Sequence, residues 1–149
     1  MIKEITDYSV VNKMFFDDEE LFDRISDDYT STYKWNPAAY QFLGWFDGDV
    51  CKAVLQIHHE NEIVLIVHIN IPKKYRGQDS FRMGNGLLKH LEKNCDKKFV
   101  KINAKIPVCY PDVIKFAHKN GFCVEGIDRK SYVKNKRYFD RAIMGKVIR

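Results

Sequence analysis

The chain has 149 residues, 45% hydrophobic and 30% charged, with a formal net charge of +5 at neutral pH. This is the size of one ordinary domain and the composition of a water-soluble globular protein, long enough to bury a core without disulfide or metal staples. The longest apolar run, Ile63 to Val67, is too short for a bilayer, and MIKEITDYSV has no apolar signal core, so the reading is a cytoplasmic protein with no membrane span.

The opening MIKEIT reads as a first strand. Asp7 is placed to cap a helix whose Val10, Val11, Met14 and Phe15 share one face. DDEELFDRISDDY continues as a second helix, its acids crowding the first turn where the helix dipole favours them. The period then changes. YQFLGWFDGDVCKAVLQIHH holds two apolar runs around Asp47-Gly48-Asp49, a hairpin signal, and Glu60-Asn61 makes the next turn. EIVLIVHINI follows as a long apolar strand ended by Pro72.

The segment IPKKYRGQDSFRMGNGLL, residues 71–88, reads as a strand end, a basic loop bearing three glycines, and a helix start. Met83, Leu87, Leu88, Leu91 and Cys95 mark that helix. FVKINAKI alternates as a strand, and its crossover connection places it parallel to the strand ending at Pro72. A short helix runs from Pro111 to Gly121, and FCVEGIDRKSYV with RYFDRAIMGKVI forms a closing hairpin. No linker or repeat divides the chain. The predicted order is β-α-α-β-β-β-α-β-α-β-β over a single domain, residues 1–149. This is a mixed, mostly antiparallel α/β sheet of about seven strands with helices on both faces.

Charge is unevenly spread. Residues 1–30 hold three basic against nine acidic side chains, and residues 61–149 hold twenty against eight. Such a balance suits an anionic partner, a phosphorylated cofactor or a nucleic acid, although a solvated basic surface is equally ordinary. No base-stacking motif or basic groove-reading helix is present, so nucleic acid ranks last. Cys51, Cys95, Cys109 and Cys123 form no CxxC and match no zinc spacing, which predicts free thiols and no metal.

The basic loop carries the most specific signal. A helix N-terminus presents unpaired N–H groups and a positive dipole end, and glycines let the backbone come close to a phosphate. Gly77, Gly84 and Gly86 supply the freedom; Lys73, Lys74, Arg76 and Arg82 supply the charge.

With FAHKNGF before the closing hairpin, this pattern resembles the GNAT superfamily of N-acetyltransferases over nearly the whole chain. The resemblance implies acetyl-CoA as co-substrate, with main-chain contacts from Ile69 and Ile71. It also implies that a loop from Arg76 through Gly77, Gln78, Arg82, Met83, Gly84 and Asn85 to Gly86 wraps the diphosphate. An amine is the implied acceptor, and the closing hairpin is a candidate homodimer contact.

Two departures stand out. Phe81 occupies the position where the family shows Gln or Arg, with Asp79 there in the alternative register. Ala117 stands where the family often has a tyrosine that protonates the departing thiolate. Tyr110 is the substitute donor. His68, on the long strand, is the candidate base that takes the amine proton, or else a core histidine held by a hydrogen bond.

HINIPKKYR, KINAKIPVCYPDVIKF and SYVKNKRYFDRAIMG also resemble small GNAT-like proteins of tailed bacteriophages and prophages, some linked to head assembly. This implies a second reading: a non-catalytic protein of the same fold that contacts phage structural proteins or a host factor, in the host cytoplasm or the virion. The aromatic set Tyr29, Tyr33, Trp35 and Tyr40 would serve as its contact surface, or would pack over the cleft.

Overall fold

A computed structural model describes residues 1–17 and 39–149. The expected second helix, with Tyr29, Tyr33 and Trp35, lies outside the described residues. Seven strands form one sheet: β1 (Ile2–Glu4), β2 (Gln41–Asp47), β3 (Val50–His59), β4 (Val64–Asn70), β5 (Lys101–Pro107), β6 (Cys123–Lys134) and β7 (Arg137–Val147). Their order across the sheet is β1-β2-β3-β4-β5-β7-β6. Every pairing is antiparallel except β4 with β5. Among the described residues the helices are α1 (Tyr8–Asp17), α2 (Gln78–Asn94) and α3 (Pro111–Lys119).

Local chemistry accounts for the turns. Asp7 caps α1, its Oδ1 accepting from the Ser9 amide at 3.0 Å. The β2–β3 hairpin closes through Gly48 and Asp49, with Gly48 at φ +57°. The β6–β7 hairpin closes through Asn135 and Lys136, both in the left-handed region (φ +50° and +61°), as its two-residue turn requires. At the β3–β4 turn the Ile63 amide donates to the Asn61 side chain.

Period two sorts the strand residues onto two faces. Leu55, Ile57, Leu65, Val67 and Ile102 pack under α2 and α3 with Met83, Leu87, Leu88 and Leu91 in the main core. On the opposite face Phe42, Phe46 and Val54 pack with Ile5 and with Val11 of α1. Further along that second face, Gln56, His58, His68, Asn70, Asn103 and Lys105 follow the apolar residues, as the strand registers place them. No helix among the described residues is long and apolar enough to cross a membrane.

Candidate active site between two diverging strands

β4 and β5 stay in register for three pairs only: Val64 with Lys101, Leu65 with Ile102, and Ile66 with Asn103. Beyond Ile66 and Asn103 the strands part. The gap is a cleft of about 470 Å³, lined by Val67 to Ile71 on one side and Ala104 to Pro107 on the other. That volume falls within the range of small-molecule sites. Arg76 and Ser80 close one end; Tyr110, Val113, Phe116 and Ala117 of the α3 region close another. The β4 edge, including Ile69 and Ile71, therefore faces open space where a neighbouring strand would otherwise lie.

After Pro72 the chain makes a 3₁₀ turn over Lys73–Tyr75 and enters α2 through Gly77. Gly77 has φ +141°, a conformation that favours glycine, and a Cβ built there meets nothing within 4 Å. No side chain caps the helix, so the first-turn amides of Gln78 and Asp79 open outward from its positive end. Ser80 turns inward, its hydroxyl donating to the Gly77 carbonyl at 2.7 Å. Arg76 Nε donates to the Ile71 carbonyl at 2.8 Å, which ties the loop back to the end of β4. Asp79 pairs with Arg82 at 3.4 Å on the surface and does not line the cleft.

The expected loop through Gly86 is corrected by this helix. α2 begins at Gln78, so the amides of Arg82, Met83, Gly84, Asn85 and Gly86 belong to its hydrogen-bond ladder. Met83 is buried in the main core. Gly84 and Gly86 are small because of what crosses them: a Cβ on Gly84 would sit 2.3 Å from Phe116 Cζ, and one on Gly86 would sit 2.5 Å from Trp45 Cζ3. Asn85 Nδ2 donates to Asn120 Oδ1 at 3.2 Å, and Asn120 Nδ2 donates to the Phe116 carbonyl at 2.9 Å, linking α2 to α3. Arg82 lies over the Trp45 ring. The open backbone thus narrows to Gly77 through Asp79, since the Ser80 amide donates to the Gly77 carbonyl at 3.2 Å.

His68 lines the cleft, and its ring stacks on His58 with centroids 5.8 Å apart and planes 10° apart. Tyr40 meets His58 edge-on. Desolvation first, then the charges of His58 and Arg141, push His68 down to about 4. His58 is also lowered, chiefly by burial. His68 is thus a neutral imidazole at neutral pH. Its lone pair is available, but its basicity is low. Tyr110, which precedes α3, shares a hydroxyl–hydroxyl hydrogen bond of 2.8 Å with Tyr132. Ala117 is buried and lines the cleft, so no hydroxyl enters from that position.

Period two from His68 leads to Asn70, and the β3–β4 register leads to His58, yet neither residue stood out in the sequence. Lys105, Phe116 and Asn120 also line the cleft; FAHKNGF contains the last two, but nothing in the sequence context of Lys105 marks it. Among the described residues no group of three or more His, Cys, Asp or Glu side chains gathers to hold a metal, and no disulfide joins the four cysteines.

No family model matches the chain, and no curated protein matches it by sequence. Solved structures do match. The yncA structure from Salmonella typhimurium with its cofactor acetyl-CoA aligns at TM-score 0.79 and 14% identity, over 100% of this chain and 94% of that one. Ribosomal-protein-alanine N-acetyltransferase from Brucella melitensis aligns at 0.77 and 15%, over 99% of both chains. Spermidine N-acetyltransferase from Vibrio cholerae in complex with CoA and spermine aligns at 0.78 and 13%, over 99% and 94%. At such identities the likeness speaks to architecture, and the architecture is the GNAT N-acetyltransferase fold.

Proposed function

We propose that the protein is an N-acyltransferase that moves an acetyl group from acetyl-CoA to an amine. The observation that carries this reading is the junction of two features: a cleft opened by the parting of β4 and β5, and an uncapped, basic helix start at its end. The similar structures that hold acetyl-CoA or CoA support it.

The residues present fit such a ligand. Open space at Gly77, the outward amides of Gln78 and Asp79, and the nearby Arg76 suit a diphosphate. The edge of β4 at Ile69 offers main-chain groups for the acyl arm, while the Ile71 carbonyl is already taken by Arg76. The thioester supplies an activated acyl carbon. The amine nitrogen bonds to that carbon as the C–S bond breaks; the sulfur leaves with the electron pair, and the nitrogen gives up a proton. In this reading His68, directly or through water, accepts that proton and Tyr110 gives one to the sulfur; that both line the cleft supports it.

A non-catalytic role on the same fold, in phage particle assembly or host-factor binding, is the second reading. Ala117 in place of a hydroxyl in the cleft supports it. Titration calorimetry with acetyl-CoA and CoA separates the two. Micromolar binding, weakened about tenfold by Arg76→Ala, supports the enzyme. No heat at millimolar ligand leaves only the non-catalytic role.

A further inference from the structure

The acceptor must reach the acyl carbon from the sheet face opposite α2 and α3, because those helices cover the other. On this face the cleft is flanked by His68 and Asn70 of β4 and by Lys105 of β5. Asn70 Nδ2 is buried and has no hydrogen-bond partner among the described residues. A buried donor of this kind is costly unless a ligand oxygen completes it.

Among the described residues, cations outnumber carboxylates on this rim. Lys105 and Arg141 share a single carboxylate, Asp128, at 3.6 and 3.2 Å. Arg141 stands beside Pro107 in the β5–β7 register. Around the cleft itself, the charged lining among the described residues is Arg76, Lys105 and Asp112. From the described residues a polycation would meet a small positive excess here, whereas an anionic or carbonyl oxygen would meet donors.

Resting on the acetyltransferase reading above, we infer that the acceptor is an α-amine whose adjacent carbon bears a carbonyl or carboxylate, a free amino acid or a peptide N-terminus, held through that oxygen by Asn70 and Lys105. The chemistry of the amine agrees. A peptide α-amine has a reference pKa of about 8, against about 10.4 for a lysine side chain, so more of it is neutral at working pH. A weak base such as His68 then suffices.

The test uses the full chain, acetyl-CoA, and release of free thiol as the readout. The acceptors are free amino acids, a lysine-free peptide with an open N-terminus, an N-acetylated peptide with one lysine, and spermidine. The expected result is kcat/KM for one of the two α-amine arms about tenfold or more above both spermidine and the lysine peptide. The arm that works tells amino acid from peptide. Asn70→Ala is expected to raise KM for that acceptor about tenfold while leaving KM for acetyl-CoA unchanged, and Asn70→Asp is expected to weaken it further.

Equal or better use of spermidine or the lysine peptide overturns the inference. So does an unchanged acceptor KM in a folded Asn70→Ala protein, and so does acetyl-CoA binding with no α-amine turned over. Calorimetry run in parallel keeps the levels apart: absent acetyl-CoA binding removes the acetyltransferase reading itself, while binding with the wrong acceptor preference removes only the acceptor class.

Discussion

Phe116 of α3 rests its ring directly on Gly84 of α2, so closely that the smallest side chain at position 84 would lie 2.3 Å from its Cζ. Phe116 also lines the cleft. Gly84→Ala therefore has two expected effects. Overpacking costs about 1–3 kcal/mol, offset by up to about 1 kcal/mol of helix propensity. The displaced ring enters the cleft and weakens acetyl-CoA binding. Phe116→Leu in the Gly84→Ala background is expected to restore both, as read by the denaturation midpoint and by calorimetry. If the single variant binds and melts like wild type, the contact does not constrain position 84.

Asn85→Ala tests the link between helices. Asn120 is buried, and its Oδ1 accepts from Asn85. Truncation leaves that oxygen without its donor, at a cost of about 1–3 kcal/mol. The expected outcome is a lower thermal midpoint with little change in Kd for acetyl-CoA. A large loss of affinity at unchanged stability would instead return Asn85 to the ligand.

Stability should depend on pH through His68. Its folded pKa is about 4, against an ordinary value of 6.5. Between these values the unfolded chain binds the extra proton, so stability is full above pH 6.5 and falls as pH drops toward 4. The whole shift corresponds to about 3 kcal/mol, less what the partial exposure of the ring to the cleft screens away. His68→Gln is expected to flatten this part of the profile. Denaturant unfolding from pH 7 to pH 4.5 reads it, and identical slopes in the two proteins would assign the loss to other groups.

Tyr110→Phe removes one member of the hydroxyl pair with Tyr132. If Tyr110 gives the proton to the departing sulfur, kcat falls about 10²-fold or more with KM for acetyl-CoA held. Tyr132→Phe, which leaves the Tyr110 hydroxyl in place, is expected to lower kcat only several-fold. Equal losses in the two variants would point to the pair's structural role.

The strands were legible in the sequence because hairpin chemistry is local. Asp47-Gly48-Asp49 and the Lys134–Lys136 segment state their turns in adjacent residues. The start of α2 was not legible, for a physical reason. Glycine serves both where φ must be positive and where another group must come close. Of Gly77, Gly84 and Gly86, only Gly77 has positive φ. The other two answer to Phe116 and Trp45, and neither ring is near them in sequence. The site was half legible for the same reason. Loop chemistry marked Arg76 and Gly77, and strand position marked His68. Asn70 and Lys105 acquire meaning only once β4 and β5 part.

The place of β7 between β5 and β6 has a consequence for biosynthesis. β5 takes seven paired residues from β7, against three from β4. A nascent chain halted before Arg137 would have Lys101–Pro107 hanging from the sheet by that short parallel contact alone. The far wall of the cleft would then lack its longer strand neighbour. Ligand capture should thus begin only after the ribosome has delivered the closing hairpin, and an arrested product would be prey for proteases.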